Sequence, residues 1–166
     1  MTNNPFHDII STTKGKEMNQ MEKTIFFDMD GTIADLYGVA GWLEYLERES
    51  CYPYAYAKPL LHLASLARKL NALQKQGYRL GIISWTSKSG SKEYNAMVSI
   101  VKQAWLNTHL PSVRWDEVHI VPYGTPKQMF CRTPADILFD DEKKNRDNWT
   151  GIPYDVQNIM EILRAI

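Results

Sequence analysis

Nine residues, Thr24-Ile25-Phe26-Phe27-Asp28-Met29-Asp30-Gly31-Thr32, constrain this chain more than any other stretch. Thr24 to Phe27 are apolar or β-branched and run straight into an acid. A second acid follows two positions on, then Gly and Thr. The run is too short and too β-rich for a helix and predicts a buried strand. Gly31 supplies the turn that ends it. Two carboxylates therefore stand at or just past the C-terminal end of a strand, the edge where ligands bind in open α/β sheets. A carboxylate placed there, with a second beside it, can bind a hard cation, attack phosphorus or move protons. A strand followed by an Asp-Gly turn is the plainer account of the same residues. What decides between them is whether the rest of the chain supplies partners.

A length of 166 residues suits one domain with a single core. Apolar content of 44% and charged content of 23% fit a soluble globular protein. Lys+Arg and Asp+Glu are both 19, and the resulting zero net charge argues against a broad electrostatic grip on nucleic acid or an anionic membrane. A local basic patch stays open. No apolar run approaches the ~20 residues that span a bilayer. The N-terminus shows no apolar signal region. Cys51 and Cys131 stand far apart with no metal-ligand spacing, as expected of reduced cysteines in a cytoplasmic protein. Residues 1–20 are polar and are expected to form a weakly ordered tail, with His7 solvated and Met18 or Met21 as alternative starts. The domain then runs over 21–166.

After the first strand, Val39, Trp42, Leu43 and Leu46 recur at helical spacing and predict a helix over about Tyr37–Glu49. Residues Ser50–Pro59, rich in Tyr and Pro, read as a loop. Leu60, Leu63, Ala64, Ala67, Leu70 and Leu73 predict a helix opened by Pro59 and closed by Gly77. Tyr78–Ser84 predicts a second buried strand, running into Trp85, Thr86 and Ser87. Ala96, Met97, Ile100, Val101, Ala104 and Trp105 mark a helix over about Lys92–Asn107. Glu117–Val121 predicts a third strand. Thr125 reads as a helix cap and Pro126 as the first helical residue, which fixes Lys127 at a helix start against the dipole. Ala135–Phe139 predicts a fourth strand ending in Asp140 and Asp141. Gly151–Tyr154 reads as a turn or short edge strand, and Asp155 as the cap of a last helix. His62 and His119 read as packed or surface residues rather than ligands. Strands alternating with helices predict an α/β fold, a Rossmann-like doubly wound parallel sheet.

In such a sheet all the strand ends share one rim, which gathers Asp28 and Asp30, Ser84, Lys127, and Asp140 and Asp141. Two pairs of acids converging without a partner would repel one another. A divalent cation removes that problem, and oxygen-only ligands suit Mg²⁺. One lysine and one hydroxyl complete a shell for a phosphate.

The order and spacing resemble the haloacid dehalogenase superfamily of phosphohydrolases over nearly the whole chain from residue 24. Asp28 to Thr32 match its first motif, Ser84 its second, Lys127 its third, and Asp140-Asp141 its fourth. The resemblance implies that Asp28 attacks phosphorus to form an aspartyl-phosphate and that Asp30 acts as general acid, then base. It implies Mg²⁺ bound by Asp28, the backbone carbonyl of Asp30, and Asp140 or Asp141. Ser84, Trp85 and Lys127 would bind the substrate, with Thr32 and Asn145 in support. Only a minimal cap, about residues 37–58, fits between the first strand and the second. A site so little covered admits macromolecules or is closed by a partner subunit, which leaves a homo-oligomer open. The first and last motifs also look like the deoxyribonucleotidase branch, although that branch carries a larger helical cap. The implied function is a phosphomonoesterase acting on a nucleotide or another small phosphate ester. A phosphatase of nucleic-acid or protein phosphate and a non-catalytic phosphate-binding module are the alternatives.

Overall fold

Every residue of the strand β1, Thr24–Phe27, is buried, because β1 forms the middle of the main sheet. The computed structural model describes residues 23–166; the polar segment 1–20, with His7 and Met18, and Met21 lie outside them. In chain order β1 is followed by β2 (Ala34–Asp35), α1 (Trp42–Glu47), α2 (Tyr52–Tyr56), β3 (Lys58–Pro59), α3 (Leu63–Lys75) and β4 (Arg79–Trp85). Then come α4 (Lys92–His109), β5 (Glu117–Val121), β6 (Ile137–Phe139), α5 (Lys143–Asn148), β7 (Ile152–Tyr154) and α6 (Ile159–Ala165). Five strands pair in the order β5-β4-β1-β6-β7, all parallel, and β2 pairs with β3 as a separate antiparallel ribbon.

The chain runs outward from β1 through β4 to β5, then returns to the other side of β1 for β6 and β7. The order therefore reverses at the β1–β6 boundary, where a doubly wound sheet opens a crevice at its strand ends. Phe27 is level with Phe139 and Ile82. The ladder continues past β1, with the Asp28 amide donating to the Phe139 carbonyl at 2.9 Å. Asp28 and Asp140 thus leave the sheet side by side.

Strand alternation sorts the core. Ile25, Phe27, Leu80, Ile82 and Phe139 point to one face and pack with residues of α3, α4 and α6 such as Leu70, Trp105 and Leu163. Phe26, Ile83 and Leu138 point to the other and pack with Trp149, just past α5. Helical elements on both faces make the fold a Rossmann-like α/β sheet. No helix among the described residues is long and apolar enough to cross a membrane.

Several local expectations change. The helix expected over Tyr37–Glu49 is only α1, because Gly41 sits at φ 70° immediately before it. The tyrosine-rich loop contains α2, with Pro53 in its first turn, where a missing N–H costs nothing. Pro59 pairs with Ala34 in the ribbon and does not open α3. That helix is capped instead by His62, whose Nδ1 accepts from the Ser65 amide. Gly151–Tyr154 supplies the edge strand β7, and the Asp155 carboxylate accepts from the Val156 amide ahead of α6.

The helix expected over Lys92–Asn107 is α4, but its buried face does not follow its apolar residues. Its buried residues are Tyr94, Val98, Lys102, Trp105 and Leu106, while Met97 and Ile100 are 51% and 59% exposed. The buried stripe passes through a lysine, so a face chosen by apolar residues alone is rotated away from the real one.

At the opposite end of the sheet from the crevice, Asp136 ties β1 to β6. Its carboxylate is buried and accepts from the Thr24 amide at 2.9 Å, the Arg132 amide at 2.8 Å and the Thr133 amide at 3.0 Å. Removing it leaves three backbone donors without their acceptor, two of them buried. Asp136→Ala should destabilise the fold by roughly 3 kcal/mol or more, read as a lower urea midpoint, with Asp136→Asn recovering part of the loss.

Candidate active site

Three side chains from two distant parts of the chain meet at the β1–β6 crevice. Asp28 follows β1, Asp140 and Asp141 follow β6, and one carboxylate oxygen from each lies within 4.8 Å of the other two. Lys127, at the start of a 3₁₀ turn over Lys127–Phe130, is buried and spans the first two. Its Nζ donates to Asp28 Oδ1 at 2.8 Å and to Asp140 Oδ2 at 2.6 Å. Asp140 is further held by the Glu142 amide at 2.9 Å and by Asn145 Nδ2 at 3.1 and 3.2 Å. The Arg146 guanidinium fixes the backbone here, donating to the carbonyls of Asp140 and Asp141. Gly31 lies against Asp141 at φ 75°, and a Cβ on it would stand 2.4 Å from Asp141 Oδ2. Only glycine lets the first acidic turn pass so close to the last.

One ammonium among three carboxylates leaves negative charge uncompensated. Burial, then the charge of Asp28, raises Asp140 to about 6. Burial, Asp28 and Asp140 raise Asp141 to about 7. Lys127 loses by burial, but Asp28 and Asp140 more than restore it and hold its ammonium above the ordinary lysine value. The donor set fits a small divalent cation. It is all oxygen, it carries surplus charge, and its three oxygens lie within 4.8 Å of one another. Asp28, Asp140 and Asp141 would hold such an ion.

Asp30 faces the same cavity from the other side of the turn. Its Oδ2 accepts from Lys102 Nζ at 2.5 Å. Burial raises the Asp30 carboxyl, Lys102 pulls it back, and Asp28 adds to the rise. The cavity measures about 290 Å³, room for a small molecule. Trp42, Leu43 and Leu46 of α1 line one wall, and Trp85 and Tyr123 line another. The Trp85 indole N–H donates to the Thr125 carbonyl at 2.9 Å, and its ring lies 5.0 Å from Lys127 Nζ.

The crevice thus brings together Asp28, Asp30, Trp85, Lys127, Asp140, Asp141 and Asn145. Ser84, expected to face a phosphate, does not reach the cavity. It is fully buried on the α4 side of β4, where its hydroxyl accepts from Lys102 at 2.9 Å. Two residues further on, Thr86 and Ser87 line the cavity instead. Thr32 is buried, and its hydroxyl has no hydrogen-bond partner among the described residues. Thr125 turns its hydroxyl back to the Pro122 carbonyl and leaves Pro126 to precede the 3₁₀ turn. The site-contacting residue that the sequence pattern hid is Lys102, which reaches Asp30. Its signal was a charged residue four positions after Val98 and three before Trp105, on the stripe that both of those residues bury.

The raised carboxyls set a pH dependence. Between about 4 and about 7 the folded, metal-free protein binds more protons at Asp140 and Asp141 than the unfolded chain does, so its stability should fall as pH rises through that window. Thermal melts in a chelator should show Tm declining over that range, with Asp141→Asn flattening the slope. Added Mg²⁺ should raise Tm more at pH 7 than at pH 5, since ligands must shed protons to bind it.

No family model matches the chain, and no curated protein matches it in sequence. Among solved structures it is similar to a D,D-heptose 1,7-bisphosphate phosphatase from Burkholderia thailandensis, at 15% identity and a TM-score of 0.48. The match covers 76% of this chain and 70% of that one. Likeness at this level carries neither a family nor a substrate across.

Proposed function

We propose that this protein is a Mg²⁺-dependent phosphomonoesterase acting on a nucleotide or another small phosphate ester through an aspartyl-phosphate. The observation that carries the proposal is the meeting of Asp28, Asp140 and Asp141 at one cavity, with Lys127 between the first two. The resemblance of the first, third and fourth motifs to haloacid dehalogenase phosphohydrolases supports the same assignment; Ser84, matched to the second, lies outside the cavity.

In this reading Asp28 supplies the nucleophile. One of its carboxylate oxygens bonds to phosphorus as the bond from phosphorus to the ester oxygen breaks, and Asp30 gives that oxygen a proton. Water then bonds to phosphorus, its proton goes to Asp30, and the Asp28 carboxylate leaves, which releases inorganic phosphate. Lys127 offsets the charge of the nucleophile and offers its ammonium to a phosphate oxygen. Thr86 and Ser87 offer hydroxyls at the same wall. When bound by Asp28, the Asp30 carbonyl, Asp140 and Asp141, Mg²⁺ supplies positive charge that the transferring phosphoryl group needs. Trp85 and the apolar wall of α1 would exclude water and hold the alcohol portion of the ester.

Hydrolysis of 4-nitrophenyl phosphate is the direct test. Turnover should require Mg²⁺ and stop in a chelator, and Asp28→Asn should lower kcat by about 10³-fold or more while leaving the fold intact. Metal-independent turnover, or full activity in Asp28→Asn, would reject the mechanism. Absence of turnover on any ester would leave a phosphate-binding module. Comparing nucleoside monophosphates with 3′-phosphorylated oligonucleotides and phosphopeptides then separates a small substrate from a macromolecular one.

A further inference from the structure

We propose that Lys102 is a positioning residue for Asp30, anchoring the carboxylate so that it can accept the proton of the attacking water. This inference rests on the phosphomonoesterase reading and adds to it a residue outside its four motifs.

The geometry is a tripod. An ammonium has three N–H donors, and Lys102 spends all of them. It donates to Asp30 Oδ2 at 2.5 Å, to Ser84 Oγ at 2.9 Å and to the Trp85 carbonyl at 2.7 Å. The ring of Tyr54 flanks the same nitrogen at 4.9 Å. The three acceptors sit on the turn after β1 and on the last two residues of β4, while the stem comes from α4. One side chain therefore joins three elements at Asp30. Lys102 holds Oδ2, and among the described residues no hydrogen bond reaches Oδ1. The carboxylate is fixed at one oxygen and free at the other, on a residue that lines the cavity.

Stability does not account for this arrangement. A lysine buried on an apolar helix face costs free energy, and well-packed hydrophobic residues commonly serve such a position as well or better. Val98 and Trp105, its neighbours on the stripe, are apolar and buried. A local rule broken beside a reactive group points to a duty at that group.

The two half-reactions separate the duty from folding. With 4-nitrophenyl phosphate the leaving group departs without a proton, so kcat/KM, which reports steps up to formation of the aspartyl-phosphate, does not need Asp30. Hydrolysis of the intermediate does need it, because the P–O bond to Asp28 breaks as water gives its proton to Asp30. In Lys102→Met, kcat and KM should fall together by about 10- to 100-fold with kcat/KM nearly unchanged. Rapid mixing should show a burst of nitrophenolate as the phosphorylated enzyme accumulates. Lys102→Arg, which keeps the charge, should restore part of kcat. Ser84→Ala removes one leg of the tripod and few atoms, and should move kcat and KM the same way by a smaller factor; it decides the matter if Lys102→Met does not fold. Unchanged kcat, or kcat falling at constant KM as in a partly folded sample, would overturn the assignment. A wild-type protein without Mg²⁺-dependent turnover overturns both readings. An active wild type whose variants show no joint fall of kcat and KM overturns this one alone.

Discussion

Lys127 brings one positive charge to a rim where Asp28, Asp140 and Asp141 bring three negative ones. The fold cannot avoid that concentration. β1 and β6 are adjacent and parallel, their acids follow immediately after the last paired residues, and the close fit at Gly31 packs the acidic turn after β6 onto the one after β1. Three buried or half-buried carboxylates would push such strand ends apart unless something positive lay between them. Lys127 accomplishes part of this and leaves the remainder to whatever binds. The surrounding structure exists to hold those charges at fixed separation: Asn145 and the Glu142 amide pin Asp140, and Arg146 clamps the backbone behind it.

A second ion pair, Lys102 with Asp30, lies on the other side of the same turn. The two pairs divide the labour of the first motif. Asp28 is bound to the side of the sheet that carries β6, and Asp30 to the side that carries β4 and α4. Two acids two residues apart are thereby kept in separate environments, the arrangement that lets neighbouring carboxyls take different chemical roles. Trp85 sits between the systems, its carbonyl receiving Lys102 and its ring flanking Lys127.

The acids were legible in the sequence because strand patterns announce their own ends. Phe26-Phe27 before Asp28, and Leu138-Phe139 before Asp140, leave little doubt where pairing stops. Lys127 was legible through its conflict with the helix it was expected to start, and its burial between two acids explains the conflict. Ser84 misled because it is still paired within the strand, one residue short of the end that opens on the cavity. β4 continues to Trp85, and Ser84 shares its side with Leu80 and Ile82, toward α4. Lys102 stayed hidden because a stripe was sought in apolar residues only, and its counter-charge lies 72 positions away in the chain. Asp136 was hidden for the same reason: its amide partners on β1 and before β6 are contacts that no local pattern records. α2 was missed because Pro and Tyr suggest a loop, although a proline in a first turn suits a helix.

The short helix α1 buries none of its residues, yet Trp42, Leu43 and Leu46 line the cavity. Left-handed backbone brackets it, at Gly41 before and at Glu49 after. Glu49 is moored to α4 through the Ser91 amide and hydroxyl, whereas the Gly41 end has no side-chain cap. The wall nearest the solvent is thus tethered at one end and draws almost nothing from the central core. Its hydrogen bonds can break and re-form as a small cooperative unit, at a free energy far below that of unfolding the sheet. The wall of the entrance and the spacing of the acids thus rest on different parts of the fold: α1 leans on the cluster around Leu36 and Tyr54 through Leu46, while the charges are set by β1 and β6.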